Sequence, residues 1–123
     1  MGLLSVFKRP TTQQLRGQCG EDDALAHLQS HGLRLCERNF RCKGGEIDLI
    51  MQDDDVLVFV EVRVRTSAQF GGAAASVTRD KQKRLSIAAQ VYLARYKMPP
   101  ACRFDVIAID GQNLNWLKNA IDT

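Results

Sequence analysis

Hydrophobic and polar residues recur along the chain with two different periods, and each period predicts one kind of element. Apolar residues at helical spacing predict a first helix over residues 13–31, with Leu25 and Leu28 on its buried stripe, and a second over 78–96. Segments with the alternating or continuous apolar pattern of strands cover residues 33–40, 46–51, 56–65, 103–109 and 114–117. The predicted order is therefore αβββαββ, which defines an α/β fold.

The third predicted strand indicates how the sheet is covered. Residues 56–60 are apolar at every position, as in a strand whose two faces are both buried. We therefore predict a mixed β-sheet flanked by helices on both faces, with this strand in its interior. The helix that joins the third strand to the fourth forms a right-handed crossover and should leave these two strands parallel.

Residues with special backbone preferences mark the ends of the predicted helices. Gly32 is the expected C-cap of the first helix, and Thr78 is the expected N-cap of the second. Pro99 and Pro100 stop the second helix, because proline cannot continue it. The buried stripe of this helix is predicted at Leu85, Ala89 and Tyr92.

The hairpin between the second and third predicted strands brings two acidic residues together. If Asp54 and Asp55 form a two-residue turn, counting outward from it places Asp48 opposite Glu61 on one face of the sheet. Directly opposed side chains have Cβ atoms about 4.5–5.5 Å apart, and like charges at that separation are destabilising. Such a pair is stabilised by a cation or by a shared proton.

The same count gives Arg63 two alternative roles. It places Glu46 opposite Arg63, which would make a plain cross-strand ion pair. Because Arg63 follows Glu61 by two positions, its guanidinium would also lie on the face that carries the two acids.

A third acidic residue joins this pair through helical geometry. Glu21 lies one turn before Leu25 on the buried stripe, whereas Asp23 points away. Because a carboxylate on a buried stripe needs a partner, Glu21 is a candidate ligand beside the two strand acids. Three oxygen ligands suit Mg²⁺ or Mn²⁺ rather than zinc. The alternative is structural, since strand carboxylates are most often solvated and Glu61 can pair with a neighbouring arginine.

Composition limits the domain organisation. The length of 123 residues, with 45% hydrophobic and 25% charged residues, fits one globular domain. We place this domain at residues 13–123, after a flexible N-terminal tail over residues 1–12. No apolar run approaches the roughly 20 residues of a membrane span. The first residues also lack a signal-peptide pattern, so we expect a cytoplasmic protein with no membrane partner.

Cysteine content and charge change this picture only slightly. Four cysteines without C-x-x-C spacing and only two histidines disfavour zinc, so we expect buried or idle thiols in a reducing compartment. The net charge of +3 is mild. Basic runs nevertheless flank the acidic segments, and a solvated face and a polyanion partner both explain them. These runs are Arg38, Arg41 and Lys43, then Arg63 and Arg65, and then Arg79, Lys81, Lys83 and Arg84.

Several spaced motifs together resemble one known family. They are Gly17-x-x-Gly-Glu21, Asn39-Phe40, Gly45-Glu-Ile-Asp-Leu-Ile50, Phe59-Val-Glu-Val-Arg63, Phe70-Gly71, Val77-Thr78, Lys81-Gln82 and Arg103-Phe-Asp-Val106. From Gly17 onward the chain resembles the bacterial YraN family of predicted endonucleases. That family is placed by resemblance in the restriction-endonuclease-like superfamily, near the archaeal Holliday junction resolvases. The superfamily core of helix, three strands, helix and strand is the order predicted above.

The resemblance implies a set of catalytic residues. By position, Glu21, Asp48 and Glu61 match the superfamily's acids and would be both catalytic and Mg²⁺ or Mn²⁺ ligands. The lysine of the E-x-K motif corresponds to Arg63, where this sequence departs from the pattern. Arginine cannot lose a proton near neutral pH, which excludes Arg63 as a general base. It can still hold a phosphate or stabilise transition-state charge.

Two residues at the start of the second helix are candidate accessory phosphate ligands. Lys81 and Gln82 lie close to the helix N-terminus, which favours phosphate. The alternative for Lys81 is a solvated side chain.

The function implied is a metal-dependent endonuclease that hydrolyses DNA phosphodiesters, on branched or other repair and recombination intermediates. The alternative is a non-catalytic DNA-binding module that keeps the nuclease fold and acts with a repair or recombination partner. A scaffold without a nucleic-acid role is disfavoured by the basic runs around the acids. Because related resolvases act as dimers, a homodimer stays open as an alternative to a monomer.

Overall fold

The computed structural model describes residues 12–65 and 72–121, without the side chains of residues 12–18 and 75. The predicted tail, apart from Thr12, and the Phe70-Gly71 motif lie outside the described residues. Neither α-helix in the described ranges has the length and apolar character needed to cross a membrane.

The elements are α1 (Thr12–Ser30), β1 (Arg34–Cys42), β2 (Gly45–Asp53), β3 (Val56–Arg65), a 3-10 turn (Ala74–Ser76), α2 (Arg79–Leu93), β4 (Cys102–Asp110) and β5 (Asn113–Leu117).

The five strands form one mixed sheet in the order β1-β2-β3-β4-β5. β3 and β4 are parallel, and the other neighbouring pairs are antiparallel. The apolar strand β3 is central, and the order αβββαββ is the predicted one. Both predictions are therefore confirmed.

Two hydrophobic layers cover the two faces of the sheet. On one face, Ala24 and Leu28 of α1 pack in a cluster with Val60. On the other face, Leu85 and Tyr92 of α2 pack in a cluster with Phe59. The predicted stripe of α2 is therefore confirmed, whereas that of α1 is confirmed at Leu28 and Leu25 is only partly buried.

The helix ends follow the predicted caps with one exception. Gly32 adopts a φ of +90°, and the Leu33 N–H donates to the Leu28 carbonyl at 3.1 Å, which closes α1. The Thr78 side chain accepts the Lys81 N–H at the start of α2. The predicted end of α2 at residue 96 is wrong. Beyond Leu93 the chain tightens into a turn with bonds between residues three apart.

The β2–β3 hairpin has the predicted register. Asp54 and Asp55 form the turn, with Asp54 at a φ of +52°, a conformation that aspartate tolerates. Regular pairing runs from the turn to Leu49 opposite Val60. It therefore ends one position before Asp48 and Glu61.

Two glycines let the helices approach the sheet beside these acids. A Cβ on Gly20 of α1 would overlap the Val64 side chain on β3. A Cβ on Gly45 of β2 would overlap the Arg84 backbone carbonyl on α2. Glycine at these positions therefore brings Glu21 and the start of α2 close to the strand acids.

A different carboxylate, Asp105 on β4, is a structural hub. It is fully buried and accepts hydrogen bonds from Arg103 Nε at 3.1 Å, Trp116 Nε1 at 2.9 Å and the Asn119 backbone N–H at 2.8 Å. Arg103 also bonds to Asp53 at 3.0 Å. Asp105 therefore joins β4 to β5, to the following turn and, through Arg103, to β2.

Replacing Asp105 with asparagine should destabilise the fold by about 1–3 kcal/mol, because an amide offers one acceptor oxygen and an NH2 group to three donors. Urea unfolding at pH 7 measures the change in unfolding free energy. Asp23→Asn is the control, since it makes the same change at an exposed carboxylate on α1 and should shift stability by less than about 0.5 kcal/mol. Equal unfolding free energies in the two variants would contradict the hub role.

Candidate functional site

Asp48 and Glu61 meet at the open end of the β2–β3 ladder. Their carboxyl groups lie within hydrogen-bonding reach of each other. Glu61 is buried and Asp48 is half-buried. Asp48 Oδ2 also accepts the Val62 backbone N–H at 2.8 Å. A side-chain oxygen thus satisfies a strand N–H just beyond the end of regular pairing. The geometry predicted from the hairpin register is found.

The environment of this pair favours a bound proton or a cation. Burial, followed by the charge and hydrogen bond of Asp48, raises the pKa of Glu61 to about 8. Burial also raises the pKa of Asp48, and the Val62 N–H opposes that shift. Glu61 is therefore the member of the pair that holds a proton near pH 7, and its protonated carboxyl group can donate to Asp48.

Basic side chains surround the pair in a pocket at the start of α2. The residues that line this pocket are Glu46, Asp48, Glu61, Val62, Arg63, Lys81 and Arg84. Arg63 Nη1 lies 3.9 Å from Glu61 Oε1, and the charges of Arg63 and Lys81 lower the pKa of Glu61 against the larger effect of burial. The pocket therefore places the Asp48–Glu61 pair and Glu46 beside three basic side chains.

Glu46 pairs with Arg84 and Arg41, and not with Arg63 as the hairpin register suggested. Its Oε1 lies 3.6 Å from Arg84 Nη2, and its Oε2 lies 3.9 Å from Arg41 Nε. The suggested Glu46–Arg63 ion pair is not found among the described residues, because the ladder opens beyond Leu49 and α2 brings Arg84 to the pocket.

Glu21 approaches the acids from the other side of the sheet. It lies on α1, and the charge of Asp48, after burial, raises its pKa. Its Oε1 lies 3.3 Å from Arg38 Nη2, and Glu21 does not line the pocket. Within residues 12–65 and 72–121, no three acidic, histidine or cysteine side chains form a ready-made metal cluster. The structure thus brings Asp48 and Glu61 together and leaves Glu21 near them but turned to Arg38.

Only one of the two candidate phosphate ligands at the start of α2 lies in the pocket. Lys81 lines the pocket. The Gln82 side chain instead donates to the Val77 carbonyl at 3.1 Å, which fixes the approach to the helix. Gln82 is not among the pocket residues.

Comparisons with known proteins identify the family. Residues 20–109 match a family model described as uncharacterised protein family UPF0102. The chain belongs to the UPF0102 family. It is 67% identical over 124 residues to a UPF0102 protein of Herminiimonas arsenicoxydans, which covers 100% of both chains. It is also 67% identical over 120 residues to one from Janthinobacterium sp. (strain Marseille), covering 97% of this chain and 98% of that protein. The YraN-like resemblance is confirmed at the level of the family.

Sequence reasoning missed three residues of the site in this UPF0102 protein. Arg84 follows Lys81 by three positions, so helical spacing alone places both on one face. Glu46 was assigned only to an ion pair with Arg63. Ser76, whose Oγ accepts a hydrogen bond from Arg63 Nε at 2.9 Å, lies in a small-residue loop with no periodic signal.

The histidines and cysteines, which the sequence analysis did not assign to the site, do not line the pocket. His27 and His31 pack against Trp116, with ring centroids 5.9 and 5.5 Å away. All four cysteines are free, and Cys42 is half-buried while the other three are exposed.

The raised pKa of Glu61 predicts a stability that depends on pH in this UPF0102 protein. Between about pH 4.5 and 8 the folded protein holds a proton that the unfolded chain has released, so stability falls as pH rises through that range. Without divalent metal, the unfolding free energy should fall by roughly 3–4 kcal/mol from pH 5 to pH 8. Urea unfolding in EDTA measures it.

Glu61→Gln should remove most of this slope and be more stable than wild type at pH 8, because the amide stays neutral. Glu37→Gln, which removes a carboxylate on β1 paired only loosely with Arg95 at 3.9 Å, serves as control and should keep the slope. A wild-type stability that is flat from pH 5 to pH 8 would contradict the prediction.

Proposed function

We propose that this UPF0102 protein is a Mg²⁺- or Mn²⁺-dependent endonuclease that hydrolyses DNA phosphodiesters. The observation that carries the proposal is the close Asp48–Glu61 pair, with Glu61 buried, in one pocket with Arg63, Lys81 and Arg84. Buried acids that repel one another favour a divalent cation, and adjacent basic side chains favour an anionic substrate. A phosphodiester with a bound metal satisfies both requirements.

The donor set fits a hard divalent cation. Asp48 and Glu61 supply oxygen ligands, and their pKa values are raised first by burial, which a bound divalent cation would offset. When bound there, Mg²⁺ or Mn²⁺ would lower the pKa of a water molecule and neutralise phosphate charge. Glu21 is the third proposed ligand. Its Oε1 lies 3.3 Å from Arg38 Nη2, so a metal bound by Glu21 would replace Arg38 as its partner.

The basic residues have distinct proposed roles. Arg63 is permanently charged, so it would bind a non-bridging oxygen of the scissile phosphate and would not accept a proton. Lys81 and Arg84 lie one helical turn apart and would bind neighbouring phosphates. In hydrolysis, water attacks phosphorus, and a deoxyribose oxygen leaves as an alcohol. Resemblance to resolvases makes branched repair or recombination intermediates the first substrates to test.

One observation favours a second candidate function. Arg63 stands where the superfamily pattern has a lysine, and arginine cannot assist as a base. A non-catalytic module that binds DNA through Arg63, Lys81 and Arg84 would keep the same pocket without cleavage. Incubation with Mn²⁺ separates the two functions, because only the first yields cleaved DNA.

Titration with Mn²⁺ in a calorimeter tests the ligands directly. Wild type should bind Mn²⁺ with a Kd that Asp48→Asn and Glu61→Gln each weaken by at least about tenfold, because each variant removes a charged ligand. Glu37→Gln is the control and should bind as wild type does. Unchanged Mn²⁺ affinity in the two pocket variants would mean that these acids are not ligands.

Cleavage of branched, single-stranded and duplex DNA, with and without Mn²⁺, tests Arg63. We expect Arg63→Ala to cost about 2–4 kcal/mol of transition-state stabilisation, roughly 30- to 1,000-fold in rate, with a smaller effect on stability. Arg63→Lys restores the usual residue of the superfamily and should retain or gain activity. If the Ala variant melts at lower temperature while DNA binding and cleavage per folded molecule stay unchanged, Arg63 is structural.

A further inference from the structure

The guanidinium of Arg63 is held by a hydroxyl group on a different element. Arg63 Nε donates to Ser76 Oγ at 2.9 Å. The Ser76 hydroxyl donates in turn to the Ala73 carbonyl at 2.6 Å, and Ser76 is only 9% exposed. Because the Ser76 hydroxyl donates its proton to the Ala73 carbonyl, its oxygen lone pairs are available to accept from Arg63. A buried serine on the 3-10 turn thus fixes a charged side chain on β3.

The turn that carries Ser76 is itself anchored to the sheet. The Ala73 N–H donates to Asp110 Oδ1 at 2.7 Å, at the end of β4. Gly72 adopts a φ of +74°, and a Cβ there would lie 2.8 Å from the Asp110 carboxylate. The Ser76 backbone N–H also donates to the Ala73 carbonyl at 3.0 Å. The position of the Ser76 oxygen is therefore set by the backbone around it.

This bond decides how the guanidinium is oriented. Because the group is planar, holding the Nε–H fixes its rotation and determines where Nη1 and Nη2 lie. The 3.9 Å separation of Nη1 from Glu61 Oε1 is too long for a hydrogen bond. Ser76, rather than Glu61, therefore orients Arg63, and it does so through the nitrogen farthest from the end of the side chain.

We propose that Ser76 is a positioning residue for Arg63, aiming its terminal nitrogens at the non-bridging oxygens of a phosphodiester beside Asp48 and Glu61. The proposal rests on the proposed function of this pocket. It also gives a physical reason for arginine at this position. Arginine contacts Ser76 through Nε while Nη1 and Nη2 stay available for phosphate, so the two contacts use separate nitrogens of one rigid group.

A double-mutant cycle tests the proposal. Ser76→Ala removes the acceptor of the Arg63 Nε–H but keeps the backbone bond from residue 76 to Ala73, so the turn should persist. We expect the single-turnover rate of DNA cleavage with Mn²⁺ to fall roughly 10- to 100-fold. The Kd for DNA should change by less than about threefold, since Lys81 and Arg84 remain. In the Arg63→Ala background, Ser76→Ala should have no further effect.

Two companion variants sharpen this measurement. Ser76→Thr keeps a hydroxyl group and should restore most of the rate. Ser86→Ala makes the same change at a half-buried serine on α2 that does not line the pocket, and it should act as wild type. Rates are compared per folded molecule, with the melting temperature of each variant measured in parallel.

A spectroscopic readout is independent of activity. The ¹⁵Nε–¹H resonance of Arg63, assigned by its absence in Arg63→Lys, should exchange slowly with solvent in wild type and be shifted and in fast exchange in Ser76→Ala. An unchanged resonance, or unchanged cleavage in Ser76→Ala where Arg63→Ala is impaired, would overturn the positioning role. Failure of the proposed endonuclease function has another signature, because wild type would then not cleave DNA, whether or not it binds DNA, and the resonance would still respond to Ser76→Ala.

Discussion

The close contact between Asp48 and the buried Glu61 is the constraint on which the site depends. Apolar packing on both faces of β2 and β3 fixes the hairpin register, and that register forces the two carboxyl groups together where regular pairing ends. The Val62 N–H compensates part of the negative charge, and burial prevents water from screening the remainder. The free energy of apolar packing in the core thus holds the Asp48 and Glu61 carboxyl groups together, although they repel each other when both are ionised.

A second buried carboxylate shows why this pair differs from a structural acid. Asp105 is enclosed by donors from a guanidinium, an indole and a backbone amide, so it holds its surroundings together without a further ligand. The Asp48–Glu61 pair has one backbone donor and basic groups that remain at longer range. Burial alone therefore does not mark a functional acid, whereas burial with incomplete compensation does.

The cations around the pair come from elements that meet only in the folded protein. Arg63 lies on β3 but is oriented by Ser76 on the 3-10 turn, which Asp110 at the end of β4 holds in place. Lys81 is supplied by the start of α2, and Gly45 allows that helix to lie close to the sheet. The distribution of positive charge in the pocket is therefore a property of how helix, turn and sheet pack against one another.

The sequence alone determined the element order, the buried stripes, the caps and the register that opposes Asp48 to Glu61, because these depend on local periods and on one short turn. It overestimated the length of α2, since bonds between residues three apart close that helix before Pro99. Only the tertiary structure decided that Glu21 faces Arg38, that Arg84 takes Glu46 as its partner and that Ser76 orients Arg63. Each of these contacts joins residues on different elements, and their separation in space depends on packing that no local pattern encodes.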